Sequence, residues 1–111
     1  MQRDSPALLW DAHEAISLVR EFTQGKSFED YLREPMLRSA VERQLGILGE
    51  ALNRLSRVDP ETAARLPELP RIVAFRNILV HGYAEIDNAS VWRVVENQLD
   101  PLDRVLQEMP E

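Results

Sequence analysis

The sequence predicts an all-α chain, an antiparallel bundle of four main helices. Three observations carry that expectation. Apolar residues recur at intervals of three and four along most of the 111 residues. Strand-like alternation is nearly absent, and four glycines are few for a turn-rich β architecture. Helix-starting residues and prolines separate the apolar stripes at spacings that suit helices joined by short connections.

The first helix is expected from about Pro6 to Gln24. Asp4 or Ser5 is placed to cap it, Pro6 suits the first turn, and Gly25 suits the exit. Its stripe is Leu8, Ala12, Ala15, Val19 and Phe22, widened by Leu9 and Ile16. Trp10 falls off the stripe centre and is read as covering a core edge or an interface. His13, between Asp11 and Glu14, is read as an ordinary surface residue. Ser27-Phe28-Glu29-Asp30 has the form of a helix start, with Phe28, Tyr31 and Leu32 making one short apolar turn before Pro35 kinks or restarts the helix.

The second helix then runs to about Arg57 on a stripe of Leu37, Val41, Leu45, Leu48, Leu52 and Leu55. Gly46 and Gly49 lie inside it, and each costs about 1 kcal/mol against alanine. Their spacing suggests a face where another helix approaches closely. Glu50 follows, either as a solvated carboxylate or as the partner of a buried arginine, with Arg76 the candidate. Asp59-Pro60-Glu61 starts a short turn through Ala64, and Pro67 and Pro70 interrupt the chain. The third helix is expected over Leu69 to Val80, ending at Gly82. The fourth runs from Asn88 to Gln107, capped by Asp87, with Val91, Val95, Leu99, Leu102, Leu106 and Met109 as its seam and a bend at Pro101.

The length fits a single domain over residues 1–111, with a core modest enough that a dimer burying more surface is plausible. There is no cysteine, which removes disulfides and thiolate metal sites and fits a reducing cytoplasm. No apolar run approaches a membrane span, and the N-terminus lacks the apolar segment of a secretion signal. The net charge is −6, from 19 acidic and 13 basic residues. That balance argues against a general or sequence-reading DNA-binding protein, which carries a basic footprint. Twelve of the thirteen cations are arginines, Lys26 being the exception. An acidic enzyme with a few local arginine contacts remains compatible with RNA as substrate.

The densest chemistry lies in Arg76-Asn77-Ile78-Leu79-Val80-His81-Gly82-Tyr83. Arginine supplies a planar cationic fork that matches phosphate. Histidine can give or take a proton near neutral pH, and the Asn77 amide can orient either group. On an ideal helix Arg76 and His81 point about 140° apart, so they do not share a narrow face. The bland alternative is that both simply cap helix carbonyls.

Arg76-Asn77, His81 and Tyr83 together resemble the Arg-x4-His-x-Tyr signature of HepT-like proteins in the HEPN superfamily. Leu45-Gly46-Ile47-Leu48-Gly49-Glu50-Ala51, Pro67-Glu68-Leu69 and Val91-Trp92 are similar to the same family's flanking segments, so the resemblance covers nearly the whole chain. Pro70, where the family more often has an aromatic, departs from the pattern, as does the acidic balance.

The resemblance implies a HEPN-like bundle and a type II/VII-like toxin encoded beside a minimal nucleotidyltransferase antitoxin. It further implies a metal-independent endoribonuclease with no cofactor, acting on RNA at a homodimer interface. By that resemblance Arg76 and His81 would carry catalysis, Asn77 would support them, and Tyr83 would receive AMP from the antitoxin. Glu50 is a lower-ranking supporting residue. The competing expectation is a bundle without catalysis, serving as a partner or substrate-binding subunit of a nucleotidyltransferase.

Overall fold

A computed structural model describes residues 3–81 and 87–109; the side chains of Val80 and His81 lie outside that description. Among the described residues the chain forms seven α-helical segments and no strand. Helix α1 spans Ser5–Thr23, α2 Phe28–Arg33, α3 Pro35–Val58, α4 Pro60–Ala63, α5 Leu69–His81, α6 Asn88–Arg93 and α7 Leu99–Glu108. A π-helical turn, Val94–Gln98, joins α6 to α7, so the two run as one long element. The all-α bundle expected from the periodicity is therefore present, with α1, α3, α5 and α6–α7 as its four main members. No helix is long and apolar enough to cross a membrane among the described residues.

The stripes of α1 and α3 make the core. Leu8, Leu9, Ala12, Ala15, Ile16 and Val19 of α1 are buried, and so are Leu37, Val41, Leu45, Leu48, Leu52 and Leu55 of α3. The two helices are the most extensively packed pair in the molecule and run antiparallel. Ser5 at the start of α1 meets Asp59 just past the end of α3. This contact corrects the expected cap. Asp4 sits in a helical conformation (φ −88°, ψ −7°) and its side chain makes no capping bond. Ser5 is buried, and its hydroxyl donates to Asp59 Oδ2 at 2.7 Å. The same carboxylate accepts from Thr62 Oγ at 2.6 Å and from the Thr62 amide at 3.2 Å, so it starts α4 while anchoring α1.

Pro35 separates α2 from α3 completely. A proline disfavours the helical conformation in the residue before it, and Glu34 is extended at φ −109°, ψ 95°. The start of α2 is a reciprocal box. Ser27 Oγ accepts from the Asp30 amide, and the Asp30 carboxylate accepts from the Ser27 amide. That backbone hydrogen bond holds the Asp30 carboxyl below its ordinary range. Tyr31 is fully buried against Trp92, with ring centroids 5.4 Å apart. Leu32, expected in the same apolar turn, is exposed. A six-residue helix lying on the bundle buries one narrow face, and Leu32 projects about 100° away from Tyr31.

The element from Asn88 onward differs from expectation in where it distorts. Asp87 caps it as expected, accepting from the Ala89 amide at 3.1 Å. The irregularity is the π turn, which precedes Pro101. Proline lacks an amide proton and its ring crowds the carbonyl four residues back. A widened turn immediately upstream absorbs that mismatch without ending the helix. The extra residue also rotates the seam. Val94 is buried while Val95 is half-buried, whereas Val91, Leu99, Leu102, Leu106 and Met109 face the core as expected.

His13 is not the bland surface residue that its neighbours suggest. Its Nδ1 lies 2.7 Å from Asp103 Oδ1, and Asp103 has no solvent exposure. Arg20 Nη1 and Gln107 Nε2 donate to the other oxygen of that carboxylate at 2.9 and 2.8 Å. Arg20 also pairs with Asp100. This cluster pins α7 antiparallel to α1. Trp10, one turn before His13, remains 59% exposed.

Helices α3 and α5 meet at Gly49. A Cβ placed on Gly49 would stand 2.2 Å from Arg76 Cβ and 2.7 Å from its Cγ, far inside contact distance. Only glycine permits this approach. Gly46 is different, because a Cβ there would meet nothing within 4 Å. The expectation of a shared close-packing face therefore holds for Gly49 alone. Gly49→Ala should destabilise the fold by about 1–3 kcal/mol through overpacking, despite alanine's better helix propensity. Chemical denaturation checks this; an unchanged or higher midpoint would contradict the crossing described.

Candidate active site

The site grows out of that crossing. Because Gly49 has no side chain, the aliphatic stem of Arg76 lies directly on the α3 backbone. The guanidinium then reaches the next α3 residue: Arg76 Nη2 is 2.6 Å from Glu50 Oε2. Arg76 Nη1 donates to Asn77 Oδ1 at 3.0 Å. Both terminal nitrogens are thus held by side chains, and the bland reading of Arg76 as a carbonyl cap does not describe the contacts it makes. Its side chain is 23% exposed and that of Glu50 is 44% exposed. A fork that is oriented by neighbours yet still open to solvent is poised to meet an anion.

Arg76 and Glu50 line a groove between α1, α3 and α5 with a volume of about 480 Å³. Its α3 wall carries Arg43, Gly46 and Arg54 as well, and its α1 wall carries Asp11. Arg43 and Arg54 lie outside the Arg-x4-His-x-Tyr motif, and their signal in the sequence is one of spacing. Arg43, Glu50 and Arg54 are spaced by seven and four residues, which aligns them on one helical stripe.

His81 is the last residue of α5, so the backbone between it and Arg76 is helical throughout. The ideal separation of about 140° therefore applies to the two backbone positions around the α5 axis. The His81 side chain lies outside the described residues, and Gly82 and Tyr83 do so entirely. Asn77 is exposed beside Arg76, and Ile78 presents an exposed apolar side chain on the same helix. No group of three or more His, Cys, Asp or Glu side chains is arranged to hold a metal ion among the described residues.

Fold and site together define an all-α bundle with a polar α5 segment set over a glycine of its neighbour, presenting an oriented arginine at a groove. The chain belongs to the family described as Ribonuclease HepT-like, whose profile matches residues 12–109. It is 31% identical over 108 residues to "Putative RNase MJ1380" of Methanocaldococcus jannaschii, covering 96% of both chains. It is 35% identical over 105 residues to "Probable ribonuclease HepT" of Thermococcus cleftensis, covering 92% of both. "Putative RNase TTE0752" of Caldanaerobacter subterraneus is 29% identical over 89 residues, or 80% of this chain and 79% of that one. No solved structure matches. The expected family and the expected fold are both established by these findings. Ribonuclease is the activity at the family level.

Glu50→Gln should cost less than about 1 kcal/mol of stability, because a pair this exposed is screened by water. Urea denaturation reads that directly. A loss several times larger would mean that the ion pair, and not Gly49, holds α5 in place.

Proposed function

We propose that the protein is the toxin of a toxin–antitoxin pair and acts as a metal-independent endoribonuclease. Arg76 and His81 are its catalytic residues, Asn77 and Glu50 orient Arg76, and a homodimer completes the active site. A minimal nucleotidyltransferase antitoxin neutralises it by transferring AMP to Tyr83. The observation that carries this reading is the Arg76 fork, held between Asn77 and Glu50 at the mouth of a groove, in a chain of the HepT-like ribonuclease family.

RNA contains its own nucleophile, the 2′-hydroxyl, so cleavage needs no metal-bound water. A neutral His81 takes the 2′-hydroxyl proton as the 2′-oxygen attacks phosphorus. A protonated His81 delivers a proton to the departing 5′-oxygen as the P–O5′ bond breaks. Arg76 stabilises the charge that builds on the non-bridging oxygens. The products are a 2′,3′-cyclic phosphate and a 5′-hydroxyl. One histidine does not easily serve as base and acid in a single step. Two copies related by a two-fold axis supply both. The helical separation of Arg76 and His81 favours the same arrangement, since residues on different faces of α5 can converge across an axis more readily than within one chain.

Arg76→Ala, Arg76→Lys and His81→Ala should each lower cleavage by at least about 100-fold while preserving the helical circular dichroism, since general acid–base and charge-stabilising groups contribute on that order. Lysine should fail because a point charge cannot make two parallel contacts to phosphate. Wild-type activity should persist in EDTA. Full activity in any of the three variants, or strict dependence on added Mg²⁺, would overturn the assignment. An inactive wild type that still binds the nucleotidyltransferase would support the non-catalytic partner reading instead.

An AMP group on Tyr83 would add negative charge to the segment that carries the catalytic arginine and would compete with substrate phosphate. Intact mass after co-expression with the nucleotidyltransferase should show added AMP, absent from Tyr83→Phe. If Tyr83→Phe is neutralised as well as wild type, inhibition runs through complex formation alone.

A further inference from the structure

We propose that the groove between α1, α3 and α5 is the track for the single RNA strand on either side of the cleaved phosphate, with Arg43 and Arg54 as its positioning residues. The proposal rests on the ribonuclease reading above and names where that substrate lies.

Three observations carry it. First, Arg43 and Arg54 share one stripe of α3, about 20° apart in projection and about 16 Å apart along the axis. Arg76 enters between them, at the level of Gly49 and Glu50. The groove is therefore lined by three arginines, with the proposed catalytic one between the other two along α3. Such a spacing is too long for one phosphate and suits successive phosphates of an extended strand.

Second, neither flanking arginine is engaged. Arg20, Arg33, Arg71 and Arg76 are all ion-paired, whereas Arg43 and Arg54 make no ion pair or side-chain hydrogen bond among the described residues. Both are exposed. With Glu50 paired to Arg76, Arg43 and Arg54 face only Asp11 among the groove's other charged residues, so the groove is locally positive in a chain of net charge −6.

Third, Gly46 has no role in packing. It lies inside α3, where glycine weakens a helix, yet no neighbour within 4 Å would touch a Cβ there. It lines the groove between Arg43 and Glu50. A bare backbone at that point lets a ligand strand lie close to the helix, which accounts for a glycine the protein's own fold does not require.

The test compares Arg43→Gln/Arg54→Gln with Arg65→Gln/Arg104→Gln, which makes the same change in net charge at exposed arginines outside the groove. With a single-stranded oligoribonucleotide, the groove variant should raise KM about tenfold, with a much smaller change in kcat, as expected when phosphate contacts are removed. The slope of log(kcat/KM) against log salt should become shallower by about 1.4, since each contact on a single strand contributes about 0.7. Arg43→Lys/Arg54→Lys should keep most of the slope, because a point charge still neutralises a phosphate. Gly46→Ala should raise the melting temperature by a few degrees, and Gly46→Met should raise KM by obstructing the strand.

If wild type cleaves and the groove variant matches the control in both KM and slope, the track is overturned and the ribonuclease reading stands. If Gly46→Met turns a dimer into a monomer, the groove belongs to a second copy and the track is likewise overturned. If wild type does not cleave, the catalytic reading fails separately. The track is then decided by fluorescence anisotropy of the same labelled oligonucleotide: weaker binding by the groove variant than by the control upholds it, and equal binding overturns it.

Discussion

The contact on which the rest of the site depends is the crossing of α5 over Gly49. It fixes how close the two helices come, and that distance decides where the Arg76 guanidinium ends. With a side chain at position 49, α5 would have to move outward and Arg76 would lose its reach to Glu50. The ion pair and the Asn77 hydrogen bond then refine an orientation that packing has already set. This order matters energetically. Burial and close packing are worth kilocalories, while a half-exposed ion pair contributes a fraction of one. Glu50 is therefore a steering group, and Gly49 is the structural requirement.

Much of this was legible in the residues themselves. The stripes of α1 and α3, the Ser27 box, the Asp87 cap and the break at Pro35 follow from local rules, and the structure shows each of them. The pairing of Glu50 with Arg76 was also within reach, because a helical glycine beside a carboxylate points to close approach by a long cation. What local rules missed depended on residues far apart in sequence. Ser5 bonds to Asp59, and His13 bonds to Asp103 across a separation of 90 residues. No pattern around Ser5 or His13 announces such partners. Leu32 and Val95 depart from their expected stripes for a related reason: a short helix buries one narrow face, and a π turn shifts the register of everything after it.

The two polar anchors show how a small bundle fixes helix register without a large core. Asp59 and Asp103 are both buried carboxylates, and both receive several donors. Burying a carboxylate is costly unless hydrogen bonds replace its water. Arg20 illustrates the balance, since burial works against its charge, yet the hydrogen bonds and charges of Asp100 and Asp103 raise its pKa above the ordinary value. Tyr31 is the opposite case. Its hydroxyl is buried with no hydrogen-bond partner among the described residues, and burial, with the Glu42 carboxylate adding to it, pushes the phenol's pKa up. Its contribution is ring packing against Trp92, so the hydroxyl adds nothing visible to the fold.

The acidic balance of the chain is often a reason to dismiss RNA as a ligand, and here the distribution of charge answers it. Salt screens the net charge beyond a Debye length, about 8–10 Å at physiological salt, so its repulsion acts only at close approach. Inside that distance only nearby groups count. Arg43, Arg54 and Arg76 share one groove with two carboxylates, Asp11 and Glu50, and Glu50 is already committed to Arg76. In the proposed track, the chain's net charge would slow association and the local arginines would hold the strand once it arrives. Such a division would lower affinity for nucleic acid in general while leaving the groove as a place where a strand is tolerated. On the proposed function, a weak and localised grip would limit RNA binding to the surface that carries Arg76.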